Sequence, residues 1–153
     1  MIRAGVPEER DACIEIWLEA LRARDGREQG ADVAARARSK FDRPLVRFAV
    51  AVDEASGFAL TVDAVSDGRV AVLELLAVAP GDAGRGLGRA LVADAIDASM
   101  RLGYSALELH VRAGNVRAEK LYVASGFIPR GEPEPHPLGG APLIRYSRPL
   151  PPP

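Results

Sequence analysis

Between Leu73 and Val92 the chain reads LELLAVAPGDAGRGLGRALV, and three glycines there alternate with larger residues: Gly84, Arg85, Gly86, Leu87, Gly88, Arg89. This combination suits phosphate binding. A helix that starts after such a turn has amide groups without helical acceptors, and its dipole favours an anion at that end. Glycine has no Cβ, so phosphate oxygens can approach the backbone closely. Arg85 and Arg89 add planar cationic donors. The alternative from spacing alone is a tight strand-to-helix connection that binds nothing. Two familiar phosphate loops are excluded. The P-loop needs a Lys followed by Ser or Thr after its glycines, and none follows here. The dinucleotide fingerprint G-x-G-x-x-G, begun at Gly84, would need glycine where Arg89 stands.

The elements that place this turn follow from periodicity. Residues 73–78 are almost wholly apolar, as in a strand covered on both faces, and Pro80 and Gly81 end it. Beyond Gly88, the residues Leu87, Leu91, Ala95, Ile96 and Met100 fall near one helical face, and Gly103 is placed to cap the helix. Before the turn, residues 1–4 read as a first strand and 8–24 as a helix whose apolar stripe includes Cys13, Ile14, Trp17 and Leu21. Residues 25–32 are a polar loop and 33–41 a second helix. Strands at 45–52, 58–65 and 70–78, joined by turns at 53–57 and 66–68, form an antiparallel meander.

After the turn, 105–111 reads as a strand with Leu107, Leu109 and Val111 on one face and Ala106, Glu108 and His110 on the other. It runs parallel to the central strand through a crossover. Residues 115–125 form a helix capped by Asn115, and 127–130 begin a strand. Residues 131–142, rich in Pro and Gly, read as a loop, and 143–147 as a last strand. The prediction is an α/β fold with about seven strands and about four helices in one domain, 1–149, followed by a Pro-rich tail at 150–153.

Composition narrows the function. The formal net charge of −1 carries no global signal for nucleic acid or membrane, and no stretch is apolar enough to span a bilayer. The single cysteine, Cys13, allows no internal disulfide and reads as a small apolar helix residue. No histidine has a partner at metal-ligand spacing, so no metal is expected. A cytoplasmic location is the default without a signal-peptide core.

A second constellation lies at 109–127, LHVRAGNVRAEKLYVASGF. Together with the glycine turn it resembles the GCN5-related N-acetyltransferase (GNAT) superfamily. Val78-Ala79-Pro80 matches the family's V-x-P segment, and Gly86 and Gly88 match its loop, [Arg/Gln]-x-x-Gly-x-[Gly/Ala]. Asn115, Ala118, Leu121, Tyr122, Gly126 and Phe127 match N-x-x-A-x-x-L-Y-x-x-x-G-F. The departure is Ala83, where arginine or glutamine is usual, and it bears on affinity rather than on cofactor identity.

The resemblance implies a mixed, mostly antiparallel sheet splayed between strands 4 and 5, and acetyl transfer from acetyl-CoA to an amine. The pyrophosphate would lie on the amides of Gly84, Arg85, Gly86, Leu87, Gly88 and Arg89. Leu76, Ala77 and Val78 would pair with the pantetheine like an added strand. An N–H near Val78 would polarise the thioester carbonyl. Asn115 would contact the pantetheine or hold the splayed strand. Tyr122 occupies the general-acid position. His110 stands where some relatives place a glutamate base, with Glu108 on its face able to orient it, and Glu74 is the other candidate base. His136 reads as solvated. The family takes acceptor choice from the loops at 25–32 and 131–142, whose acidic residues would attract a cationic amine. The acceptor expected is a small amine or amino-acid-like metabolite. A peptide N-terminus is the second reading, and a non-catalytic CoA-binding module is the third. Homodimers are common in the family.

Overall fold

The computed structural model describes residues 1–51, 56–66 and 68–152. Seven strands form one sheet: β1 (Ile2–Ala4), β2 (Leu45–Ala51), β3 (Gly57–Asp63), β4 (Val70–Val78), β5 (Ala106–Arg112), β6 (Ile128–Glu134) and β7 (Leu143–Pro149). Their order across the sheet is β1-β2-β3-β4-β5-β7-β6, and every neighbouring pair is antiparallel except β4 and β5. Four helices cover it: α1 (Arg10–Asp25), α2 (Ala31–Lys40), α3 (Leu87–Arg101) and α4 (Val116–Ala124). The predicted mixed architecture is the one observed.

The sheet separates two apolar clusters. On one side Cys13 and Ile14 of α1, Ala37 of α2 and Phe41 pack on Phe48, Phe58, Leu60 and Leu75. On the other, Leu91, Val92 and Ala95 of α3 and Tyr122 of α4 pack on Ala59, Leu73, Leu107 and Leu109. Strand β3 is therefore buried over six successive residues, Gly57 to Val62, and its continuous apolar run has that physical cause. The Cys13 thiol, buried in the first cluster, is pushed up to about 12, which makes it a packing residue rather than a reactive one.

Several element limits differ from the periodicity reading. The first helix opens with a short 3-10 turn, Pro7–Glu9, and becomes α-helical at Arg10. Helix α2 starts at Ala31, so the connecting loop is shorter than 25–32. β3 ends at Asp63, where Asp63 Oδ1 accepts from the Val65 amide and Val65 takes φ 54°. The expected turn at 53–57 and the Asp67 of the 66–68 turn fall largely outside the described residues, as does Val52.

Two corrections concern the C-terminal third. Residues 131–134, read as loop, continue β6 against β7, with a register shift between Arg130 and Glu134. β6 is an edge strand, so Pro129 and Pro133 can lack an N–H without breaking an inner ladder. Leu150, read as the start of a tail, is 8% exposed, and its amide donates to Ser105 O at 2.9 Å.

Candidate functional site

The site begins with a slip of one residue in β4. Opposite β3, Leu60 pairs with Leu75 and Thr61 with Leu73, leaving Glu74 as an unpaired bulge. The bulge inverts the alternation of the strand. Ala71 and Leu73 face the α3 side, Leu75 and Ala77 the α1–α2 side, and Leu76 and Val78 return to the α3 side. On its other edge β4 pairs with β5 only through Val70–Ala106, Ala71–Leu107 and Val72–Glu108. Past Val72 the strands part. This is the predicted splay, and it leaves one edge of Leu73 to Val78 without a strand partner.

A cleft of ≈1320 Å³ occupies the fork. That exceeds the several hundred Å³ typical of one small ligand and suits a cofactor and an acceptor together. It is lined by the glycine turn, by Leu76, Val78, Asn115, Leu121 and Tyr122, and by residues of α1, α2 and the β6–β7 connection.

At the turn, Pro80–Asp82 make a 3-10 turn and Gly84 and Gly86 take φ of 84° and 80°. Those values favour glycine at both positions. The first α3 hydrogen bond is Ala90 N–H to Gly86 O at 3.1 Å, so the amides of Leu87, Gly88 and Arg89 have no helical acceptor. Among the described residues no side chain caps this end. A Cβ built on Gly81, Gly84 or Gly86 meets nothing within 4 Å, so open space lies before the turn. Arg89 is exposed, and Arg85 lies 3.9 Å from Asp82, whose other oxygen accepts the Ser56 amide at 2.9 Å. Open space, free amides and cations together fit a diphosphate.

Tyr122 is 9% exposed and sits edge-on to Phe127 with ring centroids 5.9 Å apart. Among the described residues its hydroxyl has no hydrogen-bond partner, although it lines the cleft. Burial raises its pKa well above the ordinary phenol value, so the proton stays on the oxygen at neutral pH. Asn115 caps α4 by accepting the Ala118 amide at 3.3 Å, as its position predicted, and also faces the cleft.

The candidate bases separate. His110 is exposed, lines the cleft and has no bonded partner among the described residues. Glu108 does not orient it; its carboxylate lies 3.5 Å from Arg145, the β7 residue opposite His110. Glu74 is ion-paired to Arg43 and lies 3.4 Å from Lys40. These are the partners that a carboxylate in an apolar strand requires. Burial lowers the Lys40 pKa, and Glu74 opposes that fall. Glu74→Gln is expected to destabilise the fold by about 1–3 kcal/mol, because two partly buried cations lose their counter-charge. Urea unfolding of the variant beside the wild type measures this.

Residues that sequence reasoning left aside also reach the cleft. Trp17, read as core, packs on the α1–α2 cluster and lines the cleft with its neighbour Leu21. Arg36, Arg112 and His136 line it as well. His136, read as solvated, is half-buried, and no local pattern marks it. The acidic residues of the 25–32 loop are mostly engaged: Asp25 by Arg24 at 2.8 Å and Glu28 by Arg22 at 2.8 Å. Among the described residues no group of three or more His, Cys, Asp or Glu could hold a metal, and no helix is long and apolar enough to cross a membrane.

A forked sheet, a glycine-opened helix and a buried tyrosine thus border one cleft. The chain belongs to the acetyltransferase (GNAT) family, whose model matches residues 10–127. It is 33% identical over 137 residues to a mycothiol acetyltransferase of Renibacterium salmoninarum, covering 82% of this chain and 40% of that protein. The chain spans less than half the length of the curated relatives it matches. Among solved structures, the ribosomal-protein-S18-alanine N-acetyltransferase of Escherichia coli superposes with a TM-score of 0.75 at 26% identity, over 98% of this chain and 93% of that one. The PaiA N-acetyltransferase of Thermoplasma acidophilum, solved in complex with coenzyme A, shares the fold with a TM-score of 0.72 at 17% identity, over 98% of each chain.

Proposed function

We propose that this chain transfers an acetyl group from acetyl-CoA to the amine of a small, amino-acid-like acceptor. The observation that carries this is the fork itself. It brings free helix amides, an unpaired strand edge and an unpartnered phenol hydroxyl to one cleft. The amides of Gly84 to Arg89 hold the diphosphate, with Arg85 and Arg89 adding charge. Leu76, Ala77 and Val78 offer strand-type hydrogen bonds to the pantetheine, and Asn115 contacts it from the other wall. The cosubstrate supplies an activated acetyl thioester.

The residues of the chain then manage protons. An alkyl ammonium has a pKa near ~10.4 and must lose a proton before it can attack. His110, exposed in the cleft and unbonded, takes that proton directly or through water. Tyr122, kept protonated by burial, donates to the departing sulfur. A backbone N–H near Val78 stabilises negative charge on the carbonyl oxygen. Glu74, the other candidate base, is held by Lys40 and Arg43, and we assign it to fixing α2 against the bulge.

The similarity to a ribosomal-protein-alanine acetyltransferase favours a peptide N-terminus as the second reading of the acceptor. Incubation with acetyl-CoA and a panel of amines and short peptides, followed by thiol release, tests the proposal. Release that depends on the amine supports it. Coenzyme A binding without release for any acceptor would instead make the chain a binding module.

A further inference from the structure

Arg36 and Lys40 of α2, Arg112 at the end of β5 and His136 of the β6–β7 connection line the cleft, and the three cations lie close enough to act on the His136 ring. Arg112 Nη1 donates to the carbonyls of Gly139 at 2.7 Å and Ala141 at 3.0 Å. Those bonds fix the guanidinium and the loop together, but they do not neutralise the charge. Among the described residues neither Arg112 nor Arg36 has a carboxylate within ion-pair distance. Of the carboxylates nearby, Asp25, whose charge also acts on Arg112, is bonded to Arg24 and Gln29, and Glu74 is held by Lys40 and Arg43. Asp32, exposed at the first turn of α2, pairs with neither arginine.

His136 completes the set. Its Nδ1 accepts the Leu138 amide at 2.9 Å, so the neutral ring carries its proton on Nε2. Burial and the charges of Arg112, Arg36 and Lys40 hold its pKa below the ordinary imidazole value, which keeps it in that neutral form. Nε2–H is then a donor without a partner among the described residues. Two guanidinium groups without an ion pair among the described residues and one oriented N–H thus line the same cleft.

We infer that the acceptor carries an oxyanion group, a carboxylate or a phosphate-type group, bound by Arg36, Arg112 and His136 Nε2–H. Planar guanidinium donors match such groups in both geometry and charge. His110 and Tyr122 line the same cleft, so an acceptor anchored by its anion can present its amine to them. This rests on the acetyl-transfer reading and reverses the expectation that loop acids draw the amine in. Here Asp25 and Glu28 are ion-paired while Asp32 stays exposed, and Arg36 of α2 and Arg112 of β5 contribute positive charge.

The test compares amines that differ only in one terminal group: amino acids, their carboxamides and the matching aminophosphonates. Thiol release gives kcat/KM for each. The wild type is expected to prefer the oxyanion member over the carboxamide by on the order of 10- to 100-fold. The stronger of carboxylate and phosphonate identifies the group. Arg36→Gln and Arg112→Gln should bring the ratio toward one while coenzyme A affinity holds. Arg36 bonds no loop carbonyl, so it separates charge loss from loop disorder. A wild type without preference, or one preferring carboxamides, overturns the inference while leaving acetyl transfer intact. Should no amine release thiol, acetyl transfer fails instead, and NMR of the His136 ring decides the anion site. N-acetylglycine should raise its titration midpoint and N-acetylglycinamide should not; equal or absent responses overturn the site.

Discussion

Tyr122→Phe is expected to lower kcat by on the order of 10²-fold while leaving coenzyme A affinity and stability nearly unchanged. The size follows from the chemistry. A positioned general acid contributes about 10²- to 10⁴-fold, and a thiol with a pKa near ~8.5 leaves fairly well unaided, so the low end applies. The clean phenotype follows from the structure. The hydroxyl has no partner among the described residues, so its removal orphans no buried group. The ring contact with Phe127 needs only the aromatic edge, which phenylalanine keeps. Steady-state kinetics, with calorimetry for the cofactor, separate the two quantities. Full turnover in the variant would remove Tyr122 from the proton transfer.

The second large effect is expected at the turn. Gly86→Asp should weaken coenzyme A binding by about tenfold or more, with a smaller loss in Gly86→Ala. Both variants place a Cβ on a residue with φ 80°, at a cost of roughly 1–2 kcal/mol if that backbone is kept. Only aspartate adds a negative charge where the diphosphate is to lie. The difference between the two variants therefore isolates electrostatics from backbone strain. Equal affinities for wild type and both variants would place the phosphate site elsewhere.

What the sequence shows of this design depends on range. The glycine turn, the Asn115 cap and the alternating faces of β5 are set by residues a few positions apart, and each was legible. The fork followed from the family resemblance rather than from any spacing. The bulge at Glu74 was not legible, because a one-residue slip leaves no mark in a strand that is apolar on both faces. Nor were the partners of Glu74, since Lys40 and Arg43 lie in a distant part of the chain. β6 was obscured by Pro129, Gly131 and Pro133, residues that an edge strand tolerates and a central one does not. Arg36, Arg112 and His136 converge only when the β6–β7 connection folds back over the end of β5. No periodicity encodes that closure.

The amides of Gly84 to Arg89 carry the central claim, and NMR of the labelled backbone reads them directly. Titration with coenzyme A should shift these amide protons strongly and saturably, together with those of Leu76 to Val78, while β6 stays unchanged. A well-folded protein whose turn amides remain unmoved at millimolar coenzyme A would contradict the account.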